Sequence, residues 1–257
     1  MPVYESTHLL KEQRIRLGSY YTPERLVNKV YEFIEPHIGK NVVIFDSAAG
    51  FGAFMAKAQG CDYRVADCDQ EAYSFLKRSF DEKKIFCSNS LVGVDRQKYA
   101  IPEEAFLIQI GNPPYNDTTS EFKSGQKGKN ICDRDLADRD LGISFLKSYN
   151  KLRASIICVL HPLSYLIKEA NFKRLKEFRY NYKLIKGVVF PSSWFSGTGL
   201  LKFPIIIALY EKDEIGMDFD YIKNFEFAIL DSEKTFKLAQ YETTDGCIDK
   251  YPPRKNG

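Results

Sequence analysis

The sequence predicts an α/β fold in which helices cover both faces of a mostly parallel, seven-stranded sheet. Three observations predict it: short apolar runs recur along the chain, several end in an acid or in prolines, and segments with helical apolar spacing separate them. A chain of 257 residues can bury such a sheet as one domain with an appendage. The predicted strands cover residues 42–46, 62–66, 84–86, 105–111, 155–160, 184–190 and 204–210.

The composition favours a soluble, cytoplasmic protein without a membrane segment or a metal site. Neither a signal peptide nor an apolar run of about 18 residues is present. The six cysteines form no CxxC pair and the three histidines are scattered, which argues against a zinc site and against His-based catalysis. A net charge of +3 permits nucleic-acid binding without requiring it, because a local basic patch matters more than the total.

The first predicted helix follows the segment GSYYTP at residues 18–23. Thr22 occupies the position expected for an N-cap, Pro23 the first helical position and Glu24 the first turn. The apolar residues that follow recur at helical spacing, at Leu26, Val27, Val30, Phe33 and Ile34.

A small-residue turn follows the first predicted strand. The strand ends in Asp46, and the sequence SAAGFG then predicts a turn that opens a helix, with Ala48, Gly50 and Gly52 near its tip. Glycines allow a ligand to approach the backbone closely. They also occur in tight turns for conformational reasons alone, so both interpretations stay open here.

Two further strand ends carry polar residues. Asp67 ends the second strand, about 20 residues after the turn, where an acid commonly binds a ribose diol. Asp69 is the expected N-cap of a helix over residues 70–80. Asn89 follows the third strand, and its amide either contacts an adenine edge or makes a turn.

The segment AFLIQIGNPPY at residues 105–115 predicts a buried strand that stops abruptly. Two prolines end it, because neither can donate a hydrogen bond to a neighbouring strand. The strand end then presents the Asn112 amide, the Pro113 carbonyl and the Tyr115 ring. This combination suits a planar ring that carries an amine.

The second half of the chain continues the alternation. Residues 116–142 are polar and charged, which predicts a mobile loop beside the site or a surface insertion. Helices are expected over residues 143–152 and 168–178, the second of them basic. A glycine-rich loop at 192–199 holds the one tryptophan. Residues 213–257 add a short extension with a strand or two.

Five motifs in this order resemble the γ-type N6-adenine DNA methyltransferases, which use S-adenosylmethionine. They are GSYYTP, FDSAAGFGAF, the acid Asp67, GNPPY and WFSGTG. The resemblance implies a three-layer, Rossmann-like methyltransferase fold with a seven-stranded sheet and one antiparallel strand. It implies a catalytic domain over residues 1–212 and an extension, 213–257, too short for a full target-recognition domain.

The resemblance also assigns roles to matching positions. Asn112, Pro113 and Tyr115 would be catalytic, and Tyr115 and Phe195 would contact the flipped base, with Trp194 and Phe203 as alternatives to Phe195. The residues implied for binding the cofactor, S-adenosyl-L-methionine, are Tyr21, Thr22, Pro23, Asp46, Ala48, Gly50, Gly52, Asp67 and Asn89. Asn89 stands where the family usually has an acid.

The implied reaction is methyl transfer to the exocyclic N6 amine of an adenine flipped out of duplex DNA, as part of a restriction–modification system. Two alternatives remain. One is methylation of RNA or of a protein glutamine at the same NPPY site. The other is a modification module that is inactive without a partner DNA-recognition subunit, or that works as a homodimer.

Overall fold

The computed structural model describes residues 22–58, 60–115, 132–195 and 203–244. Within them the chain forms one sheet of nine strands in the order β3-β2-β1-β4-β5-β7-β6-β8-β9. The strands are β1 (Val42–Asp46), β2 (Asp62–Asp67), β3 (Ile85–Cys87), β4 (Phe106–Gly111), β5 (Ile156–Pro162), β6 (Tyr182–Pro191), β7 (Pro204–Lys212), β8 (Phe227–Ile229) and β9 (Thr235–Phe236).

All seven predicted strands are present, but the predicted total of seven is wrong. The segment after residue 212 supplies β8, which pairs parallel with β6, and β9, which pairs antiparallel with β8. In the described residues two strands therefore run against the others, rather than one. The first is β7, which is antiparallel to both β5 and β6; the second is β9.

The central strands are buried on both faces. Every residue of β1 and of β5 is buried, as are all residues of β4 after Phe106. Because successive side chains of a strand point to opposite faces, this burial requires a covering layer on each side of the sheet. The three-layer arrangement predicted from the apolar runs is confirmed.

Seven α-helices and six 3-10 segments lie in the described ranges. The α-helices are α1 (Glu24–Ile34), α2 (Gln70–Ser79), α3 (Leu141–Lys151), α4 (Ser164–Ile167), α5 (Glu169–Arg174), α6 (Phe178–Asn181) and α7 (Phe219–Asn224). The 3-10 segments are Glu35–His37, Met55–Lys57, Glu82–Lys84, Gln97–Tyr99, Ser192–Trp194 and Leu238–Thr244. The five apolar residues predicted for the inner face of α1 are all buried.

Two helix predictions are wrong in detail. Residues 168–178 do not form one helix, because the chain leaves the helical conformation after Arg174 and Lys176 has a φ of 51°. No α-helix follows the glycine turn either. Gly50 and Gly52 both have positive φ, and only the short Met55–Lys57 segment fits before β2 begins.

The cap of α1 also differs from the prediction. The helix begins at Glu24 with Pro23 as its flanking residue, and no side chain of the described residues makes a capping hydrogen bond there. Thr22 is therefore not the N-cap. By contrast, Asp69 caps α2 as expected, accepting hydrogen bonds from the backbone N–H groups of Glu71 and Ala72.

Residues 116–131 of the predicted mobile loop lie outside the described residues, so its mobility stays a prediction. No helix of the described ranges is long and apolar enough to cross a membrane. Those ranges likewise contain no group of three or more His, Cys, Asp or Glu side chains that could hold a metal ion.

Candidate active site

The sheet reverses its strand order between β1 and β4. From β1 the chain proceeds to β2 and β3 on one side, and from β4 to β5 on the other. In open α/β sheets, ligands bind outside the carboxyl ends of the strands at such a switch point. Asp46 ends β1 and Gly111 ends β4, so the acid and the NPPY segment meet at this position.

Asp46 lies in close contact with the backbone of Gly111. A Cβ atom on Gly111 would lie 2.8 Å from Asp46 Oδ1, and the φ of Gly111 is 144°. Only glycine satisfies both conditions without strain. The glycine before Asn112 is therefore required by the carboxyl group at the end of the neighbouring strand.

The Asp46 carboxyl is 1% exposed. Its Oδ1 accepts a hydrogen bond from Ala48 N at 3.2 Å, and no described residue donates to Oδ2. Burial raises the pKa of Asp46 to about 8; the Ala48 N–H acts against this increase, and the nearby Asp67 contributes to it. The carboxyl is therefore largely protonated at neutral pH and would ionise when a cation binds beside it.

Asp67 organises the glycine turn. Its Oδ2 accepts from Gly50 N at 2.7 Å, and its Oδ1 accepts from Asp69 N at 2.8 Å. Burial raises the pKa of Asp67, although these two backbone N–H groups act in the opposite direction. The carboxylate thus joins the end of β2 to the turn after β1, and its contact with a ribose stays a prediction.

The two glycines of the turn serve different purposes. A Cβ atom on Gly52 would lie 2.8 Å from the Phe80 ring and 2.9 Å from the Leu76 side chain, so Gly52 is required by packing. No described atom lies within 4 Å of the corresponding position at Gly50, whose φ is 53°. The space beside Gly50 fits a close approach of ligand to backbone.

Asn89 makes a turn, which is one of the two roles that the sequence predicts for it. Its Oδ1 accepts from Leu91 N at 2.9 Å, and its backbone carbonyl accepts from Lys98 Nζ at 2.7 Å. A contact between Asn89 and a cofactor adenine stays a prediction.

The amide of Asn112 forms a hydrogen bond with Thr22. Asn112 Nδ2 donates to Thr22 Oγ1 at 3.2 Å, and Thr22 itself is 4% exposed. Asn112 Oδ1 is buried, and no described residue donates to it. The site therefore contains a fixed acceptor that is ready for a donor from outside the described chain. Tyr21 lies outside the described residues, and Pro23 precedes α1 directly.

A cleft opens next to Tyr115. Its volume is about 440 Å³, within the range of small-molecule sites. Tyr115 and Phe203 both line it and meet edge to face, with ring centroids 6.5 Å apart. The described residues that line it are Tyr115, Pro162, Ser164, Ile167, Lys168, Phe203 and Pro204.

Of the three aromatic candidates for the base, Phe203 contacts Tyr115 within the described part of the chain. Phe195 is 2% exposed and packs edge to face on Phe190 with centroids 5.8 Å apart. Trp194 is half-buried and also packs against Phe190. Contact of Phe195 with a base stays a prediction. The order of the aromatic residues in the sequence does not by itself distinguish the three positions.

Ser192 holds the backbone of Phe203 from both sides. Ser192 N donates to the Phe203 carbonyl at 2.9 Å, and Phe203 N donates to Ser192 Oγ at 3.1 Å. Leu163 N, just after β5, donates to the Pro204 carbonyl at 2.9 Å. The start of β7 is thereby fixed beside the cleft.

A buried polar group supports Tyr115 from behind. Tyr165 Oη donates to Asp140 Oδ1, and a Cβ atom on Gly142 would lie 2.5 Å from Tyr165 Oη and 3.1 Å from Tyr115 Cβ. Burial raises the pKa of Asp140 to about 6, partly offset by the Tyr165 hydroxyl. Sequence reasoning missed these residues, because nothing local marks Gly142 as a packing contact of NPPY.

The buried histidine next to this group is neutral. Burial lowers the pKa of His161 to about 4. Its Nδ1 donates to the Pro162 carbonyl at 2.9 Å, and its Nε2 accepts from the Tyr210 hydroxyl at 2.7 Å. With both ring nitrogens engaged, His161 has a packing role beneath the cleft.

Comparison with known proteins bears on the fold. No protein-family profile and no curated protein matches the chain. A protein from Vibrio vulnificus, assigned as the modification subunit of a type I restriction enzyme, aligns at TM-score 0.61 and 16% identity over 94% of this chain and 55% of that chain. The chain has a methyltransferase fold. It spans about half the length of that modification subunit.

Two further solved structures agree. A Listeria monocytogenes protein assigned to the class I S-adenosylmethionine-dependent methyltransferases aligns at TM-score 0.57 and 16% identity over 87% of this chain and 68% of that chain. A Pyrococcus horikoshii protein assigned as an RNA methyltransferase aligns at 0.50 and 14%, over 77% and 88%. At these identities the likeness concerns the fold, which proteins assigned to different substrates share.

Proposed function

We propose that the protein transfers a methyl group from S-adenosyl-L-methionine to the N6 amine of an adenine flipped out of duplex DNA. The observation that carries this proposal is the buried Asn112 Oδ1, which no described residue satisfies, at the carboxyl end of β4. A buried acceptor without a donor is costly, so its presence at the switch point suggests that a substrate supplies the donor.

The residues at the switch point fit the cofactor. S-adenosylmethionine, when bound, supplies a methyl group activated by a sulfonium cation. Asp46 offers a buried carboxyl to the cationic end of that molecule. The attraction between the two charges would offset the cost of ionising the carboxyl in a buried position. Asp67 offers carboxylate lone pairs to the ribose hydroxyls, and the space beside Gly50 admits the ligand.

The chemistry assigned to Asn112 follows from the target amine. The lone pair of an exocyclic amine is delocalised into the ring, which makes the nitrogen a poor nucleophile. When Asn112 Oδ1 and the Pro113 carbonyl accept its two hydrogens, the nitrogen moves toward tetrahedral geometry and its lone pair is freed. Fixed neutral acceptors also stabilise the positive charge that develops on nitrogen, until the methylated nitrogen releases one of its two protons to solvent.

The cleft supplies the binding energy for a base outside the stack. Flipping a base costs a few kcal/mol, and stacking on an aromatic side chain returns roughly 1–3 kcal/mol per ring. Tyr115 forms one wall in this proposal. Phe203 is the second aromatic favoured by its contact with Tyr115, and Phe195 is the one favoured by the motif.

DNA is favoured over RNA or protein by the order of the motifs, because GSYYTP precedes the glycine turn. In the proposed assignment, residues 1–212 are the catalytic domain and 213–257 an extension whose strands β8 and β9 widen the same sheet. The likeness to part of a modification subunit supports a role in a restriction–modification system, with a partner recognition subunit or a second copy of the chain.

The test is transfer of a tritiated methyl group from S-adenosylmethionine to duplex DNA, ribosomal RNA and release-factor protein, each with the full chain. We expect label in DNA, on the N6 position of adenine. Label in RNA or protein instead would select the other substrate. Label that appears in DNA only after addition of a DNA-recognition subunit would identify a modification module that is inactive without that partner.

The matched variants are Asn112→Ala at the site and Asn224→Ala on the exposed face of α7. We expect Asn112→Ala to bind the cofactor as the wild type does, measured by calorimetry, and to lose methyl transfer. Asn224→Ala should keep both. Undiminished transfer by Asn112→Ala would refute the assigned role.

A further inference from the structure

We propose that Thr22 is a positioning residue that keeps the acceptor of the Asn112 amide turned toward the substrate amine. This inference rests on the proposed function and deepens it. The contact between the two side chains joins positions 90 residues apart in sequence, with Nδ2 of Asn112 donating to Oγ1 of Thr22 at 3.2 Å.

The reason for such a contact lies in the symmetry of an amide. The carbonyl and NH2 ends of an Asn side chain have almost the same shape, and rotation about its last torsion is only weakly restricted. An inverted amide would present two N–H donors to an amine that must itself donate. In the observed orientation the Thr22 hydroxyl accepts from Nδ2, and this contact anchors the amide with Oδ1 facing the substrate amine.

The local sequence makes both partners stiff. Thr22 precedes Pro23, and Asn112 precedes Pro113, and a residue before proline is restricted to extended conformations. Threonine is also branched at Cβ, which limits its χ1 rotamers. Both residues therefore hold their side chains on backbones with little freedom to drift apart.

The same contact explains why Thr22 is absent from the helix cap. Among the described residues no side chain caps α1, and the helix begins only at Glu24. With Thr22 almost fully buried, its hydroxyl is committed to Asn112 rather than to the helix. The threonine of the Thr22-Pro23 pair thus forms a polar contact with the asparagine of the Asn112-Pro113 pair.

The test compares Thr22→Val, which keeps the shape but removes the hydroxyl, with Thr22→Ser, which keeps the hydroxyl. Thr235→Val on the exposed strand β9 is the matched control. In the full chain we expect Thr22→Val to lower kcat about tenfold, the size of one lost orienting hydrogen bond. A loss confined to the cofactor Kd would contradict the inference and favour the cofactor contact that the family resemblance implies for Thr22. Thr22→Ser should recover the rate to within about threefold, and Thr235→Val should match the wild type.

A second readout follows the amide directly. In protein with 15N-labelled asparagine, the side-chain NH2 resonances of Asn112 are assigned by their loss in Asn112→Ala. We expect those resonances to shift and their hydrogen exchange to accelerate in Thr22→Val but not in Thr22→Ser. This measurement needs neither cofactor nor substrate.

Several outcomes would overturn the inference. They are an unchanged kcat in Thr22→Val, a rate that saturating cofactor restores, failure of Thr22→Ser to recover the rate, and unchanged Asn112 resonances in Thr22→Val. If the wild type transfers no methyl group to any of the three substrates, the proposed function fails. The resonances then still decide whether Thr22 holds the amide.

Discussion

Replacing Asp46 with Asn should stabilise the folded protein at neutral pH in the absence of cofactor. The carboxyl has a pKa of about 8 when buried, against about 3.9 in the unfolded chain. Between these values the unfolded state ionises while the folded state keeps the proton. The stabilising contribution of the protonated form is complete below the unfolded pKa and is lost as pH rises through the folded pKa.

The size of the effect follows from the width of that window. Within this window, each unit of increasing pH lowers the free energy of unfolding of the wild type by up to about 1.4 kcal/mol. Between pH 4 and pH 7 the Asp46 carboxyl therefore lowers it by at most about 4 kcal/mol. Asparagine is nearly isosteric, can accept from Ala48 N in the same way, and does not ionise. The variant should therefore lack this part of the pH dependence.

The assay is urea unfolding of the cofactor-free full chain, followed by circular dichroism at pH 5, 6, 7 and 8. Asp220→Asn is the control, because that carboxylate lies exposed in α7. We expect the stability difference between Asp46→Asn and the wild type to grow with pH, while the control follows the wild type. Parallel curves for Asp46→Asn and the wild type would refute the conclusion that this carboxyl is buried as an acid.

Two other perturbations test neighbouring features. Gly111→Ala should destabilise the fold by about 2–4 kcal/mol in urea unfolding, because the new methyl group meets Asp46 and the backbone conformation is strained. Gly39→Ala, where no described atom lies within 4 Å, is its control, and equal effects of the two would contradict the contact. Phe203→Ala should weaken capture of a flipped base by roughly 1–3 kcal/mol, measured by the fluorescence of 2-aminopurine at the target position. A greater loss in Phe195→Ala would favour the motif assignment instead.

The strands could be predicted because each carries its own signal. β1, β4 and β5 are apolar throughout, and burial on both faces requires that pattern. The sequence predicts a strand or two in the segment that forms β8 and β9. These strands have only three and two residues, and no local pattern shows that they pair with β6 and with each other and so widen the sheet. The break at Lys176 in the predicted helix 168–178 could not be predicted either, because the residue with the left-handed backbone conformation there is neither glycine nor asparagine.

The site divides in the same way. The approach of Asp46 to the NPPY segment could be predicted, because carboxyl ends of parallel strands share one edge of the sheet. The contact of Thr22 with Asn112 could not, since it depends on how α1 enters the fold. The proximity of Phe203 to Tyr115 likewise depends on the direction of β7 rather than on spacing within the aromatic loop.

The antiparallel direction of β7 brings the β6–β7 connection to the cleft. Because β7 runs backward, it begins at the edge where β4 and β5 end, and its first residues lie against the cleft. A connection between consecutive antiparallel strands can change length without disturbing a crossover helix. The side of the sheet formed by β1 and β2 can then stay constant while the β6–β7 connection diverges. A change in the β6–β7 connection would therefore reach the cleft without altering β1 or β2.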